Sequence, residues 1–600
     1  MFSPVGYLCN ALVAVLALWP TASHATVIRG RSVTISYKQT KICETTPGVK
    51  SYSGYITIPA SADPSLQPYD ANMFFWFFEA RDSPLTAPLT LWLQGGPGSA
   101  STVQAVSGHN GPCAVQSDSN STMLNPWSWN NVANMLYLDQ PVQVGYSYDV
   151  ATDGTMDMLT GAINAGEVNS STYLLRKGVF ASQDMRRTAN TTAIAMKAIQ
   201  EFLDLWFDRF PIYKRDGVNI WTQSYGGHYA PSLASALMDR RLKPQCRGRR
   251  GSCGPGVDSV GIINGFIDGL AQAPYWPQFA VNNTYDIRAY NQSTAEAAAA
   301  NLYQPGGCRD AVLRCHQLAV QSDPDDYGNN TTTNGACLAA FALCWGSVYG
   351  YYENPRYAQP LRDPFDIART TPVSFPPPYA LGYLNNKWVR DALGAKINFT
   401  ASDAVVANMF VSTGDYIRGN SLAQLASIAD YGVKIALLHG DRDFRANWLG
   451  GEAVSLALPY SKKAAFAAAG YASITTGAGR TGGAVRQHGL VSFSRVFDAG
   501  HEVPYYQPET AYRIFSRTIL GRDVATGIIA LALRPGYSSA GPASAFGIRN
   551  SVPPPRGGEC YVDYPDLPLR CTPEQLAALA DGTAVVRGRV VVSPPPAVSR

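Results

Sequence analysis

Residues 219–228 read Asn219-Ile-Trp-Thr-Gln-Ser-Tyr-Gly-Gly-His228. An apolar strand, Val218–Trp221, runs toward Ser224. Two glycines follow, and a helical pattern continues through Pro231 to Met238. This is the strand–elbow–helix layout that lifts a serine hydroxyl out of the edge of a sheet. Gly226 leaves room for the tight backbone crossing that such an elbow needs. The usual pattern is G-x-S-x-G, and Thr222 stands where its first glycine would be. An ordinary strand-to-helix turn with a surface serine has the same spelling, so the reading depends on which residues could serve Ser224.

A serine nucleophile needs a base, and the base needs an orienting acid. In this fold they follow the serine in the order acid, then histidine. Seven histidines occur, and His439, His488 and His501 lie beyond Ser224 and outside the irregular middle of the chain. His501 sits in Phe497-Asp-Ala-Gly-His-Glu-Val-Pro504, just after a strand, with Gly500 for a sharp turn. His439 ends a strand and His488 precedes one, so both also read as surface or core histidines. The acid candidate is Asp443 in Gly440-Asp-Arg-Asp-Phe444, with Asp441 as the alternative. The oxyanion hole is expected from Trp92-Leu-Gln-Gly-Gly-Pro-Gly-Ser99. Its glycines let backbone N–H groups approach a substrate oxygen, and the residue after the nucleophile supplies the second donor. That selects Gly96 and Tyr225.

The spacing predicts strands at Leu89–Leu93, Met135–Leu138, Val218–Trp221, Ser259–Ile263, Lys434–Leu438 and Ser492–Val496, alternating with helical patterns. Each is apolar and is followed within two residues by Gly, Asp, Asn or Gln. The expectation is an α/β-hydrolase fold, a mostly parallel central sheet covered by helices, with its site at the carboxyl edge. Residues 268–378 depart from this pattern, with Ala-rich helix, four cysteines and Pro376-Pro377-Pro378, and read as a cap insertion. The expected catalytic domain spans 26–534, and 535–600 reads as a Pro/Gly-rich extension outside the core, holding one local disulfide.

These motifs resemble serine carboxypeptidases of the fungal secreted type. The likeness rests on Trp92-Leu-Gln-Gly-Gly-Pro-Gly98; on Asn125-Pro-Trp-Ser-Trp-Asn130, Val132-Ala-Asn-Met-Leu-Tyr-Leu-Asp139 and Val144-Gly-Tyr-Ser-Tyr148; on Gln223-Ser-Tyr-Gly-Gly-His-Tyr229; on Gly440-Asp-Arg-Asp-Phe444 with Asn447-Trp-Leu-Gly450; and on Ala499-Gly-His-Glu-Val-Pro504 with Gln507-Pro-Glu509. It implies stepwise removal of C-terminal residues from peptides or proteins through an acyl-enzyme. Ser224 would be the nucleophile, His501 the base and Asp443 its acid. It further implies that Gln94, Gly95 and Gln223 receive the substrate's terminal carboxylate, and that Glu502 lines the pocket for the leaving residue. The family usually has Asn and Glu where this chain has Gln94 and Gln223. An amide donates without needing a proton, so a flat pH dependence of peptide binding is expected. Ser99 stands where a cysteine is common, so one family disulfide should be missing. A carboxypeptidase-like acyltransferase or esterase would keep the same triad, and an inactive glycoprotein could keep the fold.

Composition agrees with a large folded enzyme: 46% hydrophobic residues, 15% charged and a net charge of +4 over 600 residues. The charges are scattered, which excludes a nucleic-acid partner. The nearest basic cluster, Arg247, Arg249 and Arg250, lies between Cys246 and Cys253 and reads as a tied loop. Residues 1–25 read as a signal peptide. Ala11–Leu18 is apolar, Pro20 breaks the run, and Ser23-His24-Ala25 suits cleavage. No membrane anchor is expected, and the destination is the extracellular space or a vacuole. Of eleven cysteines, Cys9 falls in the leader, which leaves an even number for disulfides. The spacing suggests Cys246/Cys253, Cys308/Cys315, Cys337/Cys344 and Cys560/Cys571, with Cys43 and Cys113 left to bridge. No metal site and no cofactor are expected. Sequons at Asn120, Asn169, Asn190, Asn282, Asn291, Asn329, Asn330 and Asn398 mark candidate glycosylation sites.

Overall fold

The computed structural model describes residues 22–28, 31–61, 67–167, 170–243, 254–373, 375–554 and 558–595. A central sheet is built from β1 (Ala22–Ile28), β2 (Arg31–Thr40), β3 (Ser51–Ile58), β4 (Ala71–Phe78), β5 (Leu89–Leu93), β6 (Asn134–Leu138), β7 (Gly217–Gln223), β8 (Gly256–Ile263), β9 (Lys434–Gly440), β10 (Tyr471–Thr475), β11 (Thr481–His488) and β12 (Val491–Val496). Its order is β1-β2-β3-β4-β6-β5-β7-β8-β9-β12-β11-β10. The six strands from β6 to β12 in that order are parallel, and they correspond to the six runs read from the sequence. Their side chains are buried almost throughout, as expected for strands covered on both faces. The flanks β1–β4 and β10–β11 are antiparallel. The leader expected over residues 1–25 lies outside the described residues as far as Thr21, and Ala22–Ala25 begin β1.

Helices α1 (Thr192–Arg209) and α2 (Gly226–Leu242) pack on each other, α1 against β3 and α2 against β7 and β8. The insertion contributes α3 (Gln292–Tyr303), α4 (Cys308–Ser322) and α5 (Thr331–Cys344), then a hairpin of Arg362–Asp363 with Asp366–Thr370. After β9 come α6 (Trp448–Ala457), capped by Asn447 on the Gly450 N–H, and later α7 (Pro508–Ile519) against β8 and β9. An aromatic cluster fills the centre of the core. Trp221 of β7 packs at 5.1 Å from Trp129 and 5.0 Å from Phe515 of α7.

The disulfides correct part of the expected pairing. Cys43–Cys113 and Cys560–Cys571 form as expected. In the cap the partners are exchanged to Cys308–Cys344 and Cys315–Cys337. Cys308 and Cys315 share one helix, two turns apart. At 1.5 Å per residue that is about 10 Å, beyond disulfide reach. The antiparallel α4–α5 hairpin brings each to a partner on the facing helix instead. The expected Cys246/Cys253 pair lies outside the described residues.

The C-terminal stretch does not stand apart from the core. Residues 535–554 run along the sheet edge, where Gly470 N–H donates to Ser539 and Tyr471 N–H to Pro542. Residues 558–595 add helix Pro573–Asp581 and hairpin Val585–Arg587/Val590–Ser593. Val562, Leu567, Leu579 and Val591 share a second apolar core with Met156, Met158 and Phe180 of the catalytic portion. Its Pro/Gly content suggested an extension outside the core, but aliphatic side chains spaced along it are buried against the small sheet of Thr152–Asp157, Ile163–Ala165 and Leu175–Phe180.

Candidate active site

Ser224 sits at the carboxyl end of β7 with φ +60°. That left-handed conformation costs a non-glycine residue roughly 1–3 kcal/mol and is held only where the surroundings demand it. Here Ser224 N–H donates to Ile263 O at 2.9 Å, and Ser224 O accepts from Phe266 N–H and Gly227 N–H, both at 3.0 Å. A Cβ on Gly226 would lie 2.4 Å from Thr222 Cβ, and one on Gly227 would lie 2.3 Å from Phe266 O. Thr222 is accommodated at the usual glycine position because Gly226 carries no side chain, and its hydroxyl donates to Gly226 O at 3.0 Å.

The loops after β9 and β12 bring the acid and the histidine together. His501 Nδ1 lies 2.6 Å from Asp443 Oδ2, and both side chains are buried. Asp443 also accepts from Asn264 Nδ2 at 2.7 Å and from Ala446 N–H at 3.3 Å. Burial pushes the His501 pKa down, but the charge and hydrogen bond of Asp443 outweigh it, and the result lies above the ordinary histidine value. Asp441 faces elsewhere, accepting from Arg495 at 3.0 Å and Tyr285 at 2.7 Å. His439 is a core histidine bonded to Ala446 O, its pKa lowered by burial to about 4. His488 contacts Ser538 Oγ at 2.6 Å on an outer strand.

The glycine loop lies against the elbow. A Cβ on Gly95 would meet Gln223 O at 2.4 Å and Tyr225 N at 2.5 Å, so the two backbones touch. Gly96 has φ +107°. Neither Gly96 N–H nor Tyr225 N–H donates to an acceptor among the described residues, which leaves two adjacent donors beside Ser224. The Tyr225 side chain is anchored away from the cleft by its hydroxyl on Asp415. Gln94 Oε1 is buried without a hydrogen-bond partner among the described residues. Gln223 is wholly buried, and one of its N–H groups donates to His501 O at 2.9 Å, so it ties the histidine loop to the elbow. Glu502 Oε2 lies 3.1 Å from His109 Nε2.

Three contributors were not singled out from sequence. Asn264 follows β8 with φ +44° and holds Asp443, while accepting from Gly440 N–H. Its signal is a polar residue at a strand's carboxyl end, the position that also identified the acid loop. His109 precedes Ser224 in the chain, outside the stretch where a base was sought. Phe365, in the cap hairpin, accepts the His501 N–H at 2.8 Å and sets its ring 4.8 Å from the imidazole. Its place cannot be read from local spacing.

Of the sequons, Asn120, Asn282, Asn291 and Asn329 are exposed, and Asn190 and Asn330 are half-buried. Asn169 lies outside the described residues. Asn398 is the most buried of the described sequons. It is 9% exposed, with Nδ2 donating to Asn385 and Oδ1 accepting from Val179 N–H, so its amide is engaged in the fold.

A model of the serine carboxypeptidase family matches residues 42–521. Carboxypeptidase S1 homolog A of Arthroderma otae is 42% identical over 96% of this chain and 90% of its own. Carboxypeptidase S1 of Penicillium janthinellum is 31% identical over 82% of this chain and 99% of its own. Among solved structures, Kex1(Δ)p, a prohormone-processing carboxypeptidase from Saccharomyces cerevisiae, superposes with a TM-score of 0.54. It is 20% identical over 78% of this chain and 91% of that one, a likeness of fold. With the family's motifs gathered at the carboxyl edge of an α/β-hydrolase sheet, the chain belongs to the serine carboxypeptidase family.

Proposed function

We propose that the chain's carboxypeptidase reaction runs through Ser224 as nucleophile, His501 as general base and acid, and Asp443 as the orienting acid. The observation that carries the reading is the buried 2.6 Å Asp443–His501 hydrogen bond beside the strained elbow of Ser224. Ser224 Oγ attacks the last peptide carbonyl and gives its proton to His501. The oxyanion takes hydrogen bonds from Gly96 and Tyr225 N–H. His501 then protonates the departing amine, and water releases the acyl group by the same route in reverse. Gln94, Gly95 and Gln223 border the terminal carboxylate, and Glu502 flanks the leaving residue. Disulfides and exposed sequons support folding in the secretory pathway, with secretion or vacuolar delivery as its end. Glycans are proposed on Asn120, Asn190, Asn282, Asn291, Asn329 and Asn330. The test is incubation of N-blocked peptides with the protein and with Ser224→Ala. C-terminal residues should be released one at a time, and the variant should lose several powers of ten in rate while staying folded. Near-normal activity in the variant would remove Ser224 as nucleophile.

A further inference from the structure

Two series of side chains link the glycine loop to the histidine loop. One is Gln94 and Gln223, the latter donating to His501 O at 2.9 Å, with Glu502 beyond. These are the groups set out above for the terminal carboxylate and the leaving residue. The other begins at Tyr416, whose hydroxyl donates to Gly96 O at 2.8 Å and whose ring lies 4.6 Å from that of Tyr225. It continues through Phe341 and Trp345, with ring centroids 5.0 Å and 6.4 Å from Tyr416. It closes at Phe365, whose ring lies 4.8 Å from His501. A carbonyl held by Gly96 and Tyr225 N–H has its leaving amine toward the first series. Its acyl residue therefore falls on the second, where an aromatic wall receives it.

One cation interrupts that wall. Arg445 follows Asp443 by two positions, and its guanidinium lies 4.7 Å from the ring centre of Phe365. It lies 5.3 Å and 5.4 Å from those of Trp345 and Tyr349. The π-helical turn Trp345–Tyr349 at the end of α5 stacks these two rings 4.2 Å apart and offers both to the same cation. Arg445 Nε donates to Tyr349 Oη at 2.9 Å, and Nη2 donates to Glu353 Oε1 at 2.7 Å. Glu353 Oε1 also accepts from Tyr349 Oη at 2.7 Å. Nη1 meets no acceptor among the described residues and is open to solvent, the Arg445 side chain being 31% exposed. Glu353 is 39% exposed, and an ion pair so placed adds little to stability. A guanidinium fork with one prong unbonded, in contrast, is suited to a carboxylate.

We propose that Arg445 is a specificity-determining residue on the acyl side: its open Nη1 donates to the side-chain carboxylate of an Asp or Glu standing just before the released residue. Resting on the carboxypeptidase site proposed above, this adds a preference for acidic over basic side chains at the penultimate position, which aromatic rings alone would not give. A Lys or Arg there meets a like charge and is disfavoured. Glu353 works against the preference, so removing its charge strengthens it.

The test compares kcat/KM for N-blocked X-Leu dipeptides and for methyl esters of the same N-blocked X, with X as Glu, Gln or Lys. It is run at about pH 6.5, where a free Glu side chain is ionised. Ratios taken within one preparation cancel the folded fraction. In the native protein Glu should exceed Gln by on the order of tenfold in both series, and Lys should fall below Gln. In Arg445→Gln the Glu-to-Gln ratio should drop to one or below, since Glu353 is then uncompensated, and Lys should gain. Arg445→Lys should keep Glu above Gln, and Glu353→Gln should raise the ratio above the native value. An Arg445 that serves only to tie the cap would lower all three substrates together. A native ratio near one, or an unchanged ratio in Arg445→Gln, would overturn the proposal. Should Arg445→Gln fail to fold, a Glu353→Gln ratio no higher than the native one overturns it instead. If the ester ratios behave as expected but no dipeptide releases leucine, the carboxypeptidase reading fails and the acyl-side preference stands.

Discussion

Asp441 and Asp443 share one loop, both wholly buried, and they face different partners. Asp443→Asn removes the charge that fixes the His501 tautomer, so kcat should fall on the order of 10⁴-fold with little change in stability. Asp441→Asn leaves Arg495 buried without its carboxylate and should cost about 3–5 kcal/mol of stability, the folded fraction keeping its kcat. Urea titration and kcat on each variant separate the two, and the reverse pattern would exchange the roles. A second consequence concerns pH. His501 must be neutral to accept the Ser224 proton, and Asp443 raises its pKa. Ester kcat/KM should therefore fall with acid through a single proton whose pKa lies above the ordinary value near 6.5. In Asp443→Asn the residual activity should show that limb at lower pH. An unmoved limb would mean that another group sets it.

The cap's helical hairpin carries two bridges, Cys308–Cys344 and Cys315–Cys337, nested two turns apart. Cleavage at Arg314, Tyr327 and Phe341 separates the four cysteines, so a non-reducing digest analysed by mass spectrometry should return those two linked pairs. Cys308 linked to Cys315 would contradict the hairpin. The elbow makes a sharper demand. Gly226→Ala sets a methyl 2.4 Å from Thr222 Cβ, so Ser224 must shift, and activity should drop far more than a surface change explains. Restoring space with Thr222→Gly in the same chain should recover most of the loss, measured as kcat/KM. No recovery would show that Thr222 is not the obstacle.

The far end of the chain is part of the structure that holds the site's scaffold. Arg495, wholly buried, donates to Ala545 O at 2.6 Å and to Ile548 O at 3.1 Å while it pairs with Asp441. A chain ending at residue 534 loses those acceptors and uncovers Met156, Met158 and Phe180. Each large apolar side chain returned to water forfeits about 1.5–3 kcal/mol. The truncated chain should melt well below the full one or aggregate, by scanning calorimetry and size-exclusion chromatography. A truncated protein with native melting and activity would show the extension to be dispensable.

The sequence by itself determined the parallel centre of the sheet and the order of its catalytic motifs. Strands buried on both faces must be apolar throughout, and their loops must leave at one edge, so Leu89–Leu93 or Lys434–Leu438 declare themselves locally. β4 is as apolar as any, but Glu79 and Ala80 follow it, and the rule that finds active-site loops passes over an antiparallel strand. Only the tertiary structure decided the pairing of the cap cysteines, the folding back of residues 535–554 and 558–595, and the meeting of Asn264 with Asp443 and of His109 with Glu502. Each depends on segments far apart in the chain being packed side by side, and no local pattern of residues encodes that distance.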